Sequence, residues 1–329
     1  MTINTKRKIK WLVAIIIASA TLLIIWRLLP FSKTDMRHCA VSVEHRYYYS
    51  LDYKDSTLFY FEGVSDDSLF VNLTENKREV VKHSLGCWVN STPLVPSCKG
   101  RITTLLEYCD SSLFKEENFR TLIAKEQQRH EDNLANFKHA EKELHYYFDT
   151  HAKGDEGYNK VNHYREELGN KIEYTEKMIE KLDRMSQYDY LSVKKHDSYY
   201  IEYKDINNNT IRKECTLAMS KYEASTLLQI CDSITPEGVT AVDTWHVYPL
   251  NVSRLNDTVY IVGRTFVNEN DSLHRDIEFI PEHLSGDTLK STPRLNIPDG
   301  APVFTRNGIF LGITSGDTII NRNIIRKSI

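Results

Sequence analysis

The sequence has little glycine, only 13 of 329 residues, and no internal repeat with a period of roughly 20 to 50 residues. Collagen-like chains and repeat arrays are therefore excluded. It also lacks an excess of positive charge, since 42 Lys and Arg face 45 Asp and Glu, and we expect no nucleic acid partner. Charged residues make up 26% and hydrophobic residues 41%, which is typical of a globular protein rather than of a disordered chain or one with many membrane spans.

One long apolar run stands near the start of the chain. It covers residues 11–29, close to the ~20 residues that the hydrocarbon core of a bilayer requires. The basic segment 6–10 precedes it and favours a cytoplasmic N-terminus. We predict a cytoplasmic tail at 1–10, a transmembrane helix at 11–29 and an extracytoplasmic C-terminal domain, periplasmic in a bacterium. A signal peptide cleaved near 18–20 is the alternative, but the run continues uncharged to Trp26 and favours an uncleaved anchor.

All six cysteines follow this run, and an even number outside the cytoplasm is compatible with disulfides whose pairing stays open. No C-x-x-C motif or Cys/His cluster with zinc spacing occurs, so we predict no metal and no cofactor. On one predicted helix, Glu141 and His145 lie near His139 and His151, but such a set is more commonly a solvated charged face than a metal site. The cysteines are Cys39, Cys87, Cys98, Cys109, Cys215 and Cys231.

Three patterns follow one another after the anchor. Residues 39–111 are rich in β-branched and aromatic residues in short runs, which predicts strands. Residues 112–187 contain no proline and many Glu, Lys, Gln and Arg residues, which predicts helix. From 188 onward the strand pattern returns and continues to residue 329. The fold class is therefore mainly β, with an inserted α-helical hairpin and an N-terminal transmembrane helix.

The helical segment reverses at 153–159, which reads KGDEGYN. Asp155, Glu156 and Gly157 there are either a simple turn or the tip of an arm that binds a partner. Each arm has apolar residues at steps of three and four, a narrow seam like that of a coiled coil. In the first arm the seam is interrupted by Glu126 and His130, and its apolar members are Phe119, Leu122, Leu134, Phe137, Leu144 and Phe148. In the second arm the seam is Val161, Tyr164, Leu168, Ile172, Thr175, Ile179, Leu182 and Met185.

The segment 297–316, which reads IPDGAPVFTRNGIFLGITSG, resembles the nucleophile segment of trypsin-like serine peptidases. That family has G-D-S-G-[GA]-P-V followed by a strand of the form G-x-x-x-G-I-x-S-G. The resemblance puts Asp299 at the catalytic serine. It puts Ile297 and Gly300 at the oxyanion-loop positions. The matching residues are Gly300, Ala301, Pro302, Val303, Gly308, Leu311, Gly312, Ile313, Ser315 and Gly316.

Two further segments resemble the same family in the chymotrypsin order of base, orienter and nucleophile. The segment 86–99, GCWVNSTPLVPSCK, can be aligned without a gap to the family pattern G-x-[LF]-[IV]-N-x-x-x-[VL]-[VL]-[TS]-x-x-H. This alignment puts Lys99 at the position of the general base. The segment beginning at Ala224, ASTLLQ, follows the strand that carries the aspartate and puts Ala224 at that position.

The resemblance implies a double β-barrel of the kind found in membrane-anchored bacterial trypsin-like proteins with a helical insertion. It assigns 39–111 and 188–232 to the first barrel, 112–187 to the hairpin insertion and 233–329 to the second barrel.

The residues at the triad positions do not suit acyl transfer. A lysine of ordinary pKa is protonated and cannot act as base, Ala224 cannot orient a base, and an aspartate at 299 opposes a developing oxyanion. We therefore expect no catalytic residue, and an ion pair between Lys99 and Asp299 instead. The predicted function is a pseudoprotease scaffold that binds a protein or peptide through the hairpin or the vestigial cleft.

The alternative is an active serine endopeptidase with a misaligned site, for which Ser97 and Ser315 are the nearest serines. Two tyrosine runs are interpreted as strand residues first and as stacking sites second: Tyr47, Tyr48 and Tyr49, and Tyr199 and Tyr200.

Overall fold

The structure is a computed structural model that describes residues 11–19, 21, 30–67, 69–90, 99–106, 116–218, 225–244, 257–265, 276–289 and 298–329. Residues 11–19, at the start of the predicted transmembrane segment, are helical. Within the part of the chain described here, no helix combines the length and the apolar character that crossing a bilayer requires.

Six strands form a first closed barrel in the order β5-β6-β9-β8-β7-β1, and pairing of β1 with β5 closes it. Two shorter strands extend the sheet: β2 (Ser56–Phe61) pairs antiparallel with β1, and β10 (Val242–Asp243) pairs parallel with β5. The barrel strands are β1 (Ala40–Tyr53), β5 (Val80–Asn90), β6 (Arg101–Thr104), β7 (Ser192–Lys204), β8 (Thr210–Leu217) and β9 (Thr226–Ile230).

Alternation of side chains explains the first barrel's core. In β7, Tyr199, Ile201 and Tyr203 are buried while the residues between them are only half-buried, as expected when successive residues of a strand face opposite sides. The buried residues pack around Trp88 of β5, which is completely buried. Tyr199 and Tyr200, interpreted from the sequence as strand residues, therefore belong to a strand of the first barrel.

A second closed barrel follows in the chain, in the order β11-β12-β13-β16-β15-β14. Val259, Ile261, Val303 and Ile319 are among the residues that form its core. Its strands are β11 (Asp257–Gly263), β12 (Glu278–Ser285), β13 (Thr288–Leu289), β14 (Pro302–Thr305), β15 (Phe310–Ser315) and β16 (Thr318–Asn321). The protein is thus mainly β with two closed six-stranded barrels.

Short helices flank the barrels. Helix α1 (Lys33–Cys39) begins at Ser32, whose hydroxyl caps the backbone N–H of Asp35 while the Asp35 carboxylate accepts from the Ser32 N–H. The preceding residue, Phe31, donates its backbone N–H to the carbonyl of Gly308 at 2.9 Å. The C-terminal helix is α4 (Arg322–Ser328).

Two long helices form the hairpin, α2 (Glu116–Thr150) and α3 (Tyr158–Ser186). Lys138 and Glu176 form an ion pair between them at 2.7 Å. Gly157 begins α3 with a φ of 88°, a left-handed conformation that suits glycine at this reversal.

The chain forms two compact units. The first contains the described residues within Met1–Arg46, Val81–Glu107 and Asp197–Ile329, and the second those within Tyr47–Val80 and Tyr108–His196. This division differs from the predicted boundaries, because the prediction assigns residues 47–80 to the first barrel whereas the structure groups them with the hairpin. Strands β1 and β7 accordingly have residues in both units.

The second unit has its own core, in which strand residues and hairpin residues pack together. Two small strands, β3 (Gly63–Val64) and β4 (Phe70–Val71), belong to it. The core explains the grouping: the hairpin's apolar residues cover strand residues as well as each other. Its buried members are Tyr49, Leu51, Phe59, Phe61, Phe70, Leu73, Phe119, Leu122, Ile123, Met178, Leu182 and Met185.

Fully buried seam residues lie only near the start of α2, up to Glu126, and in α3 from Leu168 onward. Between residues 127 and 167 no described side chain is fully buried. Glu126, predicted within the seam, is completely buried; it forms an ion pair with Arg129, and its Oε1 lies 3.3 Å from His130 Nε2. Met178 is buried although the predicted seam omitted it, whereas Tyr164 is exposed.

Candidate functional site

Asp299, at the nucleophile position of the resemblance, lies in the turn that precedes β14. Its carboxylate Oδ1 accepts the backbone N–H of Gly316 at 2.7 Å, and its backbone carbonyl accepts the N–H of Leu85 in β5 at 2.8 Å. Both contacts hold the turn against its neighbours. The Asp299 carboxylate is thus a hydrogen-bond acceptor that a backbone N–H already engages.

The next residue, Gly300, is packed too closely for any side chain. Its φ is +89°, and a Cβ there would stand 2.0 Å from the carbonyl oxygen of Leu85 and 3.1 Å from the backbone N of Leu105. Its own N–H donates to the carbonyl of Thr314 at 2.9 Å. A glycine is therefore required here by conformation and by contact with β5.

Three chain segments converge at this turn. Thr104, the last residue of β6, is in register with Gly86 of β5 on one side and with Thr226 of β9 on the other. The Thr104 hydroxyl donates to the carbonyl of Leu85 at 2.6 Å, the same residue that contacts the 299–300 turn. The structure thus brings together the ends of the three segments that carry the family resemblance.

Lys99 is not part of this convergence, which corrects the predicted ion pair with Asp299. It is exposed and stands before β6, whose Arg101 is in register with Val89. β6 spans about 10 Å at ~3.3 Å per residue, and the turn lies at its opposite end. Among the residues that the structure describes, no ion pair joins Lys99 to Asp299; the aspartate is bound by Gly316 instead.

The structure places Lys99, at the general-base position of the resemblance, in the connection between β5 and β6, two residues before β6 begins at Arg101. Ala224 and Ile297, at the orienter and oxyanion-loop positions, lie outside the described residues.

No described serine completes a catalytic triad. Ser97 lies outside the described residues, and Ser315 is the last residue of β15, where its carbonyl accepts the Thr318 hydroxyl. Two partial arrangements occur elsewhere. His45 Nε2 and Asp197 Oδ1 are 2.6 Å apart, but His45 is buried and stacks on the Tyr199 ring.

The second partial arrangement joins the Ser50 hydroxyl to His196 Nε2 at 3.0 Å. The carboxylate of Asp52 also hydrogen-bonds Ser50, whereas in a triad the carboxylate orients the histidine. Ser50 is only 1% exposed, which closes it to a substrate. The sequence signal for these pairs was the alternation of polar residues along β1 and β7.

The described residues hold no group of three or more His, Cys, Asp or Glu side chains with metal-binding geometry. On α2, His139 lies 3.7 Å from Glu143, both being exposed, and His151 Nδ1 contacts the carbonyl of Tyr147 at 3.0 Å. Glu141 is half-buried and His145 exposed on the same helix. These side chains form a charged helix face.

Four cysteines are described and all are free thiols: Cys39, Cys87, Cys215 and Cys231. Cys98 and Cys109 lie outside the described residues. Burial raises the pKa of Cys39 and Cys87, and burial together with the charge of Cys231 and nearby carboxylates raises the pKa of Cys215 to about 12. These three thiols are therefore protonated and unreactive at neutral pH.

No protein-family model matches the chain, and no curated protein matches it. Among solved structures, the crystal structure of Deg5 superposes with a TM-score of 0.38 and 9% sequence identity, covering 88% of this chain and 87% of that one. A likeness at this level carries no argument about activity.

Proposed function

We propose that the chain is a membrane-anchored, extracytoplasmic pseudoprotease. Its two barrels form a trypsin-like scaffold without hydrolytic activity, and its helical hairpin binds a protein or peptide partner. The proposal combines the order of the three family-like segments with the chemistry of the residues where those segments meet.

The contact of Asp299 with Gly316 carries the proposal of inactivity. An activated serine needs a free hydroxyl, a neighbouring imidazole and N–H donors directed at the oxyanion. At the nucleophile position the chain has a carboxylate whose Oδ1 already accepts a backbone N–H at 2.7 Å. A negative charge here would oppose an oxyanion, so loss of hydrolysis follows from the electrostatics of the turn.

The outer part of the hairpin supports the binding role. Between residues 127 and 167 the seam is at most half-buried, and Tyr146 is 73% exposed. Two helices alone leave much of such a seam in contact with water, and a partner that covered it would bury further apolar surface. α2 is 35 residues long, about 52 Å at 1.5 Å per residue, which gives the arm reach.

The membrane anchor is supported by the apolar run 11–29 and by the basic residues before it. If the span ends at Leu29, only Pro30 separates it from Phe31, whose N–H is bound to Gly308 of the second barrel. Such a short connection would hold the barrels beside the bilayer. Protease protection of intact spheroplasts tests the topology: we expect added protease to reach the C-terminal domain.

A peptide-cleavage assay tests inactivity. The purified full chain is incubated with a degenerate peptide library, and products are identified by mass spectrometry. We expect no cleavage beyond that of a heat-denatured control. Among the described residues, the contact that favours the alternative, an active serine endopeptidase, is that of Ser50 with His196. Cleavage by the native chain would refute the pseudoprotease, and its loss in Ser50→Ala would identify Ser50 as the nucleophile.

Site-specific photocross-linking in cells tests the binding arm. A photoreactive amino acid replaces Tyr146 in the outer hairpin, and a matched control replaces Tyr190, which is 63% exposed but lies after α3. We expect a discrete cross-linked product at 146 and none at 190. Absence of products at 146, or equal products at both positions, would contradict the binding role.

A further inference from the structure

A polar cavity of about 610 Å³ lies on the outer face of the first barrel. Strands β1, β7 and β8 form its floor. Tyr200, Glu202 and Lys204 of β7 line it. Ile201 also lines it and is at the same time part of the barrel core, as is Tyr203. Because successive strand residues face opposite sides, the side chains of residues 200, 202 and 204 lie on the face away from the core.

Arg264, directly after β11, forms part of the wall. Its side chain is only 7% exposed, and its Nη1 forms an ion pair with Glu202. A guanidinium has five N–H donors in a planar fork, and among the described residues Glu202 is its one partner. Arg264 therefore lines the cavity with N–H donors that Glu202 does not use.

The remaining charges of the cavity leave a positive excess. Arg212 of β8 forms an ion pair with Glu44 at 2.8 Å and covers the Tyr200 ring at 4.5 Å. Both carboxylates that line the cavity are thus engaged by arginine: Glu202 pairs with Arg264, and Glu44 pairs with Arg212 and also with Arg46. Lys204 forms no ion pair within the part of the chain described here, so one cation is left uncompensated.

We propose that this cavity binds a small anion through a carboxylate or phosphate group, held between Arg264 and Lys204. A partly desolvated guanidinium fork suits the paired oxygens of such groups, and the low local dielectric strengthens the contact. A cationic ligand fits less well, since both carboxylates already accept from arginine. The binding role is independent of whether the barrels hydrolyse peptides.

Isothermal titration of the purified full chain with sodium phosphate, and separately with sodium citrate, tests the proposal at constant ionic strength. We expect saturable binding of at least one anion. Lys204→Gln and Arg264→Gln are each expected to weaken it by about tenfold or more, as loss of one charge-assisted hydrogen bond predicts. The matched control is Lys153→Gln, which removes the same charge at an exposed position of the hairpin turn.

The two anions distinguish the chemical source: saturation by phosphate alone assigns a phosphate ligand, and saturation by citrate alone assigns a carboxylate. Arg264→Gln leaves Glu202 without its partner. If circular dichroism shows that this variant is unfolded, Arg264→Lys, which keeps a positive charge beside Glu202 but removes the planar fork, replaces it. Saturation by neither anion, or equal weakening in Lys153→Gln and Lys204→Gln, would overturn the proposal.

Discussion

Replacement of Gly300 by alanine tests whether the 299–300 turn packs closely against Leu85 of β5. The new Cβ would meet the Leu85 carbonyl oxygen at 2.0 Å while the backbone holds a φ of +89°. A left-handed conformation costs an L-residue about 1–2 kcal/mol, and forcing a methyl group into a packed contact costs a further ~1–3 kcal/mol. We expect Gly300→Ala to lower the free energy of unfolding by about 2–5 kcal/mol in total.

Gly286 provides the matched control, because its φ is +66° but a Cβ at this residue would have no neighbouring atom within 4 Å. Gly286→Ala should therefore cost only the conformational part, about 1–2 kcal/mol. Equilibrium urea denaturation measures both, followed by the fluorescence of the chain, whose Trp88 is completely buried in the first barrel. Equal losses in the two variants, within about 0.5 kcal/mol, would refute the close contact with β5.

Three further predictions concern stability. Burial alone would raise the pKa of Asp52, but hydrogen bonds from Lys194 and two hydroxyls lower it overall. The free energy of unfolding therefore decreases as pH falls below about 4. This decrease, measured by denaturation at a series of acid pH values, should be smaller in Lys194→Gln than in the native chain. Burial raises the pKa of Glu282, so its ionised form opposes folding, and Glu282→Gln should stabilise the chain at pH 7 but not below pH ~4. Replacing 131–167 by a short Gly/Ser link should leave the second unit folded by circular dichroism, because that segment holds no fully buried side chain, whereas Leu182→Ala in the core should cost about 2–5 kcal/mol.

Local patterns in the sequence were sufficient to predict the elements. The alternation at Tyr199, Ile201 and Tyr203 marks β7, and the proline-free charged segment 112–187 contains both hairpin helices. The grouping of residues 47–80 with the hairpin could not be predicted in the same way. It depends on contacts such as that of Phe70 with Phe119, which are distant in sequence.

The candidate site was predicted only in part. The motif around Gly300 predicted a turn that needs glycine, and the structure has Gly300 at a φ of +89° in close contact with Leu85. The predicted ion pair between Lys99 and Asp299 is not found among the described residues, because Lys99 precedes β6 whereas the 299–300 turn lies at the other end of that strand. The role of Arg264 could not be predicted from the sequence, because an arginine after a strand is usually solvated. Its burial and its ion pair with Glu202 are seen only in the three-dimensional structure.

Intact-mass spectrometry after fluorophosphonate treatment tests the central claim most directly, because the reagent reports an activated serine without knowledge of a substrate. The full chain and its Asp299→Ser variant are treated alongside trypsin. We predict that trypsin gains one adduct and that neither form of this chain gains any, since a serine at 299 would still lack an imidazole base: the resemblance puts Lys99 at that position. A stoichiometric adduct on one serine of the unmodified chain would contradict the account.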